Sequence, residues 1–291
     1  MSETASEIAS QPSCWQTAVE MATSAEAQLP RPGERVAAVG CGTSLYVARA
    51  YSVLRESSGH GRTDAFPASE FPGERHYDRV VAITRSGTTT EVLRLLGDLD
   101  SGSRLVITAD ASSPAVSLAD ARVILDFAEE RSVVQTRFPT SALAMLRAHL
   151  GEGLAQAIAD AERALEAPFP VDPEGIDHVV VLGHGWTVGI AEEAALKLRE
   201  AARTYSEAYP VMEYRHGPIS LAGPRSLVWI LGSPDGAIAD DARATGAKVH
   251  VASFDPLAEL VLVQRFAVAI ADAKGLDPDH PRYLTRSVVL S

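Results

Sequence analysis

Short apolar runs alternate with helical patterns along most of this chain, and that alternation constrains its fold more than any other feature. The strand-like runs of the first half are Val36–Val39, Val80–Ile83, Arg104–Thr108 and Ala121–Asp126. Helical patterns follow them at Leu45–Glu56, Thr89–Asp98, Pro114–Ala119 and Pro139–Ala164. Strands that alternate with helices predict an α/β fold with a parallel, doubly wound sheet.

The alternation restarts in the second half, after a proline-rich break at 167–175 that we interpret as a linker. It continues with strands and helices at Val179–Leu182, Val188–Arg203, Ser226–Leu231, Ala237–Gly246, Lys248–Ala252 and Leu257–Lys274. The tail 277–291 is predicted to be a loop and a final strand. Both halves begin with a strand, a Gly-x-Gly turn and a helix. We therefore predict a helical segment at 1–34, with a helix around Trp15–Ala27, and two duplicated α/β subdomains at 35–166 and 176–291.

Composition and charge exclude several classes of protein. With 291 residues and 46% hydrophobic content, the chain can bury a large core. Its net charge of −12 argues against a nucleic-acid partner, which needs a basic surface. The two cysteines, Cys14 and Cys41, form no disulfide framework or zinc pattern and fit a reducing cytoplasm. The N-terminus has no signal-peptide core and the apolar run Leu257–Ala271 is broken by polar residues, so we expect no membrane partner.

Two turns that follow predicted strands are rich in glycine and hydroxyl residues. The first is Gly40-Cys41-Gly42-Thr43-Ser44, and the second is Thr84-Arg85-Ser86-Gly87-Thr88-Thr89. Each turn leads into a helix, where exposed backbone N–H groups and the helix dipole favour an anion. An arginine among the hydroxyls adds charge-assisted hydrogen bonds. The two turns predict a site for the phosphate of a small substrate.

The first turn also allows a dinucleotide-binding interpretation. Gly40 and Gly42 follow a strand, and Asp64 lies about twenty residues further on, as in a ribose-binding acid. The position of the third glycine is taken by Leu45, however, so we predict no nicotinamide or other cofactor. The eight histidines are scattered without paired ligand spacing, so we also predict no metal site.

A second group of polar residues points to acid–base chemistry. Lys197 and Glu200 are three residues apart in a predicted helix and therefore share one face. Such a pair on its own is usually an exposed ion pair of little energetic weight. Here His216 follows in a Gly-Pro loop, where core packing does not explain it. A carboxylate, an ammonium group and an imidazole together can move protons near neutral pH.

Taken together, these motifs resemble the sugar isomerase (SIS) domain family, and specifically the isomerase domain of glucosamine-6-phosphate synthase. The similarity runs from about Val36 to Val289. The matching motifs are Cys41-Gly-Thr-Ser44, Thr84-Arg-Ser-Gly-Thr-Thr89, Ser132-Val-Val-Gln-Thr-Arg137, Glu193-Ala-Ala-Leu-Lys-Leu-Arg-Glu200, His216-Gly-Pro218 and Asp277-Pro-Asp-His-Pro-Arg282. The resemblance implies two SIS subdomains in tandem, each a flavodoxin-like three-layer αβα structure.

The resemblance also implies roles for individual residues. The phosphate would be bound by Ser44, Thr84, Arg85, Ser86 and Thr89, and the sugar by Gly42, Thr43, Val133 and Gln135. Glu200 would move the proton between C1 and C2, Lys197 would support the developing oxyanion and His216 would open the sugar ring. In the family that histidine comes from a neighbouring subunit, which implies a homodimer with His216 donated across the interface.

The chain departs from the family pattern in two ways. It begins about 30 residues before the first SIS subdomain, so we expect no glutaminase domain and no use of glutamine. The near-terminal lysine, with which the family forms an imine to the open-chain ketose, falls at Arg286. A guanidinium group stays protonated and cannot form that imine. Arg286 is expected to hold an oxyanion or the phosphate instead, or to be a surface residue.

Three reactions can follow removal of the C2 proton from an aminohexose 6-phosphate. They are aldose–ketose isomerisation, deamination, and β-elimination of water at C3. The last resembles the related N-acetylmuramic acid 6-phosphate etherase, another SIS protein. Because losing the imine lysine weakens amine exchange and leaves elimination untouched, we favour dehydration of glucosamine 6-phosphate or N-acetylglucosamine 6-phosphate. The alternatives are an isomerase or deaminase of the glucosamine 6-phosphate type, and a non-catalytic phosphosugar sensor.

Overall fold

The structure, a computed structural model, describes residues 2–232 and 236–290. The chain divides into two compact units. Among the described residues, the first comprises 13–154 with 285–290, and the second comprises 2–12 with 155–284. We call them the five-stranded unit and the four-stranded unit. These units differ from the predicted subdomains because residues 155–166 group with the second half, the end of the tail groups with the first half, and residues 2–12 are separated from those that follow.

The strands in chain order are β1 Val36–Gly40, β2 Thr63–Pro67, β3 Arg79–Ile83, β4 Arg104–Thr108, β5 Ala121–Ile124, β6 His178–Gly183, β7 Tyr205–Pro210, β8 Ser226–Ile230 and β9 Lys248–Val251. The α-helices are α1 Glu3–Ala9, α2 Gln11–Ser24, α3 Thr43–Ser57, α4 Thr90–Asp98, α5 Pro114–Leu118, α6 Arg137–His149, α7 Ala155–Glu166, α8 Thr187–Ala202, α9 Ala237–Ala244 and α10 Pro256–Ala273. Their order confirms the predicted alternation of strands and helices.

Each unit contains one fully parallel sheet. The five-stranded sheet has the order β2-β1-β3-β4-β5, and the four-stranded sheet has the order β7-β6-β8-β9. In both sheets the first strand in chain order is second from one edge, the next strand pairs with it on the edge side, and the remaining strands follow on its other side. The predicted fold class, α/β with a doubly wound parallel sheet in each half, is confirmed.

Three details of the predicted elements are wrong. Edge strands β2 and β7 were not predicted, since both are polar and end in proline. The single helix predicted over Pro139–Ala164 is two helices, α6 and α7, because Gly151 with a φ of 88° interrupts the helical backbone. The tail contains no strand within 277–290.

The four-stranded sheet presents different layers on its two faces. Residues of one face pack with α9, in a cluster formed by Val180, Leu182, Val211, Tyr214, Val228, Ile230, Ile238, Ala239, Ala242 and Ala247. On the other face, Trp229 contacts Phe266 of α10, and Ser206 of β7 hydrogen bonds to Ala195 of α8. The sheet therefore separates α9 from the α8 and α10 pair. Among residues 2–232 and 236–290, no helix combines the length and apolarity that crossing a membrane requires.

Candidate active site

The first glycine-rich turn connects β1 to α3 and requires its glycines. A Cβ atom on Gly40 would lie 2.6 Å from the backbone carbon of Ser44, and Gly42 has a φ of 54°. This close approach brings the start of α3 against the end of β1. Thr43 and Ser44 are both 3% exposed. The backbone N–H of Ser44 already donates to the carbonyl of Cys41 at 3.2 Å, which shapes the turn.

The second turn, residues 84–89, connects β3 to α4, and we call it the hydroxyl loop. Thr84 and Ser86 are buried, whereas Thr88 and Thr89 are partly exposed. The Thr88 hydroxyl lies 2.9 Å from the Ser86 hydroxyl. Because β1 and β3 are adjacent and parallel, both turns emerge at the carboxyl edge of the same sheet, where its strand order reverses. The five-stranded unit thus brings the hydroxyls predicted to bind phosphate to one edge, at the place where α/β sheets bind ligands.

Arg85 is directed into the protein. Its side chain is 1% exposed and lies 3.8 Å from the carboxylate of Glu130. Its Nη1 donates to the carbonyl of Ser132 at 2.8 Å and its Nη2 donates to the carbonyl of Arg286 at 2.7 Å. Both terminal nitrogens therefore contact backbone of other segments. Its predicted role in phosphate binding stays a prediction.

Residues 130–136, which we call the Glu130 loop, carry the two predicted sugar contacts. Val133 and Gln135 are partly exposed. The Oε1 atom of Gln135 is buried and accepts no hydrogen bond from the described residues. An acceptor without a donor is costly to bury. Gln135 is therefore suited to receive a hydrogen bond from a ligand.

Residues 285–290 form the C-terminal tail of the five-stranded unit. Arg286 Nη1 donates to the carbonyl of Glu130 at 2.6 Å, and its Nη2 contacts the carboxylate of Glu129. The Ser287 hydroxyl lies 2.9 Å from that of Thr88, and Thr90 N–H donates to the carbonyl of Val288 at 3.1 Å. The tail thus lies along the hydroxyl loop, with the Arg286 side chain in an ion pair.

The acid–base group of the four-stranded unit is built on α8. Lys197 is 1% exposed and its Nζ donates to Glu200 at 2.5 Å. The same ammonium group lies 3.3 Å from the buried carboxylate of Glu193. The Glu200 side chain is 19% exposed, so it is reachable from solvent while Lys197 is not. The structure brings Lys197 and Glu200 together as predicted from their spacing.

His216 is placed differently from Glu200. It is exposed and ends a short 3-10 turn, Glu213–His216, that follows β7. Tyr214 of that turn packs on the sheet face that contacts α9, whereas Ser206 hydrogen bonds to α8 from the opposite face. The four-stranded sheet therefore separates the turn that carries His216 from the helix that carries Glu200. Within this unit the structure does not bring these two predicted catalytic residues together.

Two buried carboxylates were missed from the sequence. Glu193 lies one helical turn before Lys197, and that spacing was a usable signal. Glu130 is fully buried and accepts hydrogen bonds from the backbone N–H groups of Thr136 and Arg137 at 2.5 and 2.8 Å. No sequence pattern indicated that Glu130 is buried.

Cys41 lies in the first turn, three residues before Ser44. Burial raises the pKa of its thiol, the carboxylate of Glu91 raises it further, and a backbone hydrogen bond from Ala68 opposes both effects. The thiol is therefore held protonated at neutral pH. Within the described part of the chain, no group of three or more histidine, cysteine, aspartate or glutamate side chains is arranged to hold a metal ion.

Comparison with known sequences gives a consistent set of relatives. No family model matches the chain. The chain is 28% identical to the glutamine–fructose-6-phosphate aminotransferase (isomerizing) of Sulfolobus acidocaldarius, over 88% of this chain and 50% of that protein. It is also 28% identical to the enzyme of the same name from Methanothermobacter thermautotrophicus, over 88% of this chain and 52% of that protein. The chain spans about half the length of the curated relatives it matches.

Solved structures agree over the whole chain. Glucosamine-6-phosphate deaminase from Thermotoga maritima is 26% identical and superimposes with a TM-score of 0.85, covering 99% of this chain and 100% of the other. The homologues of this chain are isomerase (SIS) domains of glutamine–fructose-6-phosphate aminotransferases, and its structural neighbours are SIS phosphosugar isomerases. Tagatose-6-phosphate ketose/aldose isomerase from Escherichia coli has a TM-score of 0.82 at 18% identity over 99% of this chain and 96% of the other, and supports the SIS fold alone. The resemblance predicted from the motifs is confirmed, and the SIS relatives support an isomerase-type enzyme.

Proposed function

We propose that this SIS protein acts on an aminohexose 6-phosphate by removing the proton at C2 and then eliminating water at C3. The observation that carries the proposal is the Lys197–Glu200 pair, in which a partly exposed carboxylate lies 2.5 Å from a buried ammonium group. The carboxylate can reach a substrate, and the fixed ammonium group can stabilise the oxyanion that forms beside it.

The hydroxyls of Ser44, Thr84, Ser86 and Thr89 are proposed to bind the phosphate. Their position at the carboxyl edge of the sheet, at the starts of two helices, supports this role. Gly42, Thr43, Val133 and Gln135 are proposed to contact the sugar, and the unpaired Oε1 of Gln135 can accept a hydrogen bond from a sugar hydroxyl or amide N–H. This set of contacts orients the open-chain aldehyde by its far end.

His216 is proposed to open the ring in the site of a second copy, within a homodimer. Two observations support this. The side chain is exposed, and the four-stranded sheet separates its turn from the helix of Glu200. A histidine placed in this way is available to another molecule rather than to the carboxylate of its own unit. Ring opening exposes the C1 aldehyde, which acidifies the C2 proton.

Arg286 favours elimination over amine exchange. Its guanidinium contacts the Glu129 carboxylate and the Glu130 carbonyl. It cannot form an imine with a ketose. After Glu200 takes the C2 proton, the electron pair left at C2 forms the C2–C3 double bond while the C3–O bond breaks. The leaving hydroxyl takes the proton back from Glu200 and departs as water, which gives a conjugated carbonyl product. We propose that Arg286 stabilises negative charge on the substrate during these steps.

The second candidate is deamination or aldose–ketose isomerisation, favoured by the similarity to glucosamine-6-phosphate deaminase from Thermotoga maritima over 99% of this chain. A non-catalytic phosphosugar sensor is the third. The retained Lys197–Glu200 pair argues for turnover, since a sensor gains nothing from a buried ammonium group beside an accessible carboxylate.

A product-resolved assay tests the proposal. The protein is incubated separately with glucosamine 6-phosphate and N-acetylglucosamine 6-phosphate, with and without glutamine, and the products are followed by ultraviolet absorbance, ammonia release and ketose formation. We expect an ultraviolet-absorbing product that Glu200→Gln abolishes and glutamine does not change. Ammonia, or ketose without that product, would establish the second candidate. Binding without any turnover would establish the sensor.

A further inference from the structure

Arg85 and Glu130 form a buried ion pair beneath the hydroxyl loop. Their closest nitrogen and oxygen atoms are 3.8 Å apart, and the two side chains are 1% and 0% exposed. A buried pair is tolerated only where further hydrogen bonds satisfy both charged groups. The partners of this pair are mostly backbone atoms of three separate segments, which suggests a role in holding those segments together.

Glu130 fixes the loop that bears its name. Its Oε1 accepts from the N–H of Thr136 at 2.5 Å, from the Thr136 hydroxyl at 3.0 Å and from the N–H of Arg137 at 2.8 Å. These groups lie at the start of α6, where a carboxylate is also favoured by the helix dipole. The carboxylate therefore closes the Glu130 loop, with Val133 and Gln135 between its two ends.

Arg85 connects the hydroxyl loop to three neighbours. Its guanidinium donates to the carbonyls of Ser132, in the Glu130 loop, and Arg286, in the C-terminal tail. Its own carbonyl accepts from the Thr108 hydroxyl at 2.9 Å and the Ala109 N–H at 3.1 Å, at the end of β4. A planar guanidinium with fixed donors suits two carbonyls in different directions better than a lysine does.

We propose that Arg85 and Glu130 are a positioning pair. The pair sets the conformation of the hydroxyl loop and the Glu130 loop and seats the C-terminal tail against them, and the guanidinium does not itself contact substrate phosphate. The effect on the tail is independent of the proposed function. The effect on phosphate binding rests on that function. The two effects are therefore measured separately.

Limited trypsin digestion measures the seating of the tail. Trypsin can cut after Arg282, which is exposed, and after Arg286. The carbonyl of Arg286 accepts a hydrogen bond from Arg85, and its side chain donates one to the carbonyl of Glu130. We expect Arg85→Gln to raise the initial rate of cleavage after Arg286 by about tenfold relative to that after Arg282, since a charge-assisted hydrogen bond to the tail is lost. Arg94→Gln, at an exposed arginine of α4, is the matched control and should leave the ratio unchanged. An unchanged ratio in Arg85→Gln overturns the proposal.

Phosphate binding separates positioning from direct contact. Glu130→Gln removes a negative charge near Arg85, so a purely electrostatic contact predicts tighter binding of inorganic phosphate by calorimetry. Positioning predicts the opposite, with binding weakened about tenfold in both Glu130→Gln and Arg85→Gln. In the turnover assay, KM should rise by a similar factor while kcat changes little, because both ground and transition states lose the same phosphate contacts. Tighter phosphate binding by Glu130→Gln contradicts the proposal.

Arg85→Lys completes the test and replaces Glu130→Gln if that variant does not fold. Lysine keeps the charge but lacks the fork that reaches two carbonyls, so cleavage after Arg286 should stay fast and phosphate binding weak. If Arg85→Lys restores both slow cleavage after Arg286 and tight phosphate binding, the positive charge at position 85 contacts the phosphate directly and the proposal fails. If inorganic phosphate does not bind the wild-type protein, the proposed function fails, and the cleavage ratio still decides whether Arg85 seats the tail.

Discussion

The Nζ of Lys197 lies 2.5 Å from Glu200 Oε2, although Lys197 is 1% exposed and Glu200 is 19% exposed. The same ammonium group is 3.3 Å from Glu193, whose side chain is 2% exposed. One buried ammonium group therefore forms ion pairs with two carboxylates of the same helix, and of the two only Glu200 is accessible to solvent.

Replacing Lys197 with methionine should reduce both stability and turnover. Breaking a buried pair by removing one partner typically costs about 3–5 kcal/mol, because a charge is left buried without compensation. We expect the free energy of unfolding in urea to fall by about that amount, and turnover to fall by about 10² or more. Lys248→Met, at an exposed lysine, is the matched control and should change neither by much.

The double variant Glu193→Gln/Lys197→Met distinguishes the loss of charge balance from loss of packing. Removing the buried carboxylate as well should recover part of the lost free energy of unfolding. If the double variant is no more stable than Lys197→Met alone, Glu193 is not the group that needs the ammonium charge. Turnover should stay low in both variants, because neither restores the cation beside Glu200.

The sequence predicted the central strands well because their residues are buried on both faces. Val36–Val39 and Val80–Ile83 are apolar throughout, and each lies between two neighbouring strands. The edge strands β2 and β7 have one neighbour each and carry polar residues such as Asp64 and Glu207, so their sequences resemble loops. Their pairing depends on the adjacent central strand, which no local pattern reveals.

The candidate site was predictable only where its residues share an element or a sheet edge. The spacing of Lys197 and Glu200 on a helix, and the two turns after β1 and β3, gave the correct local groupings. The inward direction of Arg85 was not predictable, because its partners Ser132 and Arg286 are distant in sequence. The burial of the Arg85 side chain depends on contacts between segments that are distant in sequence, so no local sequence pattern indicates it.

Gly87→Ala should damage the hydroxyl loop. Gly87 has a φ of 61°, and an added Cβ would lie 2.1 Å from the Ser113 hydroxyl oxygen. The left-handed backbone costs about 1–2 kcal/mol for a residue with a side chain, and overpacking adds about 1–3 kcal/mol. We expect a free energy of unfolding lower by about 2–5 kcal/mol and weaker binding of inorganic phosphate.

Two further variants define the cause of that effect. Gly97→Ala, in α4 with nothing within 4 Å of the new Cβ, should stabilise the protein by about 0.5–1 kcal/mol instead. Adding Ser113→Gly to Gly87→Ala should restore the free energy of unfolding that is lost through the clash with Ser113. The loss caused by the left-handed backbone at residue 87 should remain. Wild-type stability and phosphate affinity in Gly87→Ala would show that the loop tolerates a side chain there.

The Cys41 thiol should be slow to alkylate at neutral pH. Burial and Glu91 raise its pKa, so the reactive thiolate forms only above the ordinary value of about 8.5. In a Cys14→Ser background, the rate of reaction with iodoacetamide should rise with a midpoint higher than that of the same chain unfolded in guanidinium chloride. Glu91→Gln should lower the midpoint. A midpoint at or below that of the unfolded chain would contradict this environment.

The raised pKa of Cys41 in the folded state also determines how its contribution to folding stability changes with pH. Because the folded state disfavours the thiolate, the unfolded chain releases its proton first as pH rises. The folding free energy contributed by Cys41 is thus fully present below the unfolded pKa and declines above it. Cys41→Ser should flatten the alkaline end of the stability curve.

Subunit complementation tests whether His216 acts in a second copy. In one copy the four-stranded sheet separates the turn of His216 from the helix of Glu200, so the two residues should work together only across copies. Mixing equal amounts of His216→Ala and Glu200→Gln chains, after dissociation and reassociation, should yield half heterodimers. Each heterodimer contains one site with both residues intact, so about a quarter of wild-type activity should return, while each variant alone stays inactive.

A mixture of His216→Ala with the doubly substituted chain contains no intact site and serves as the control. A mixture that forms heterodimers by native mass spectrometry yet regains no activity, or a protein that is monomeric at working concentration, would refute the shared site.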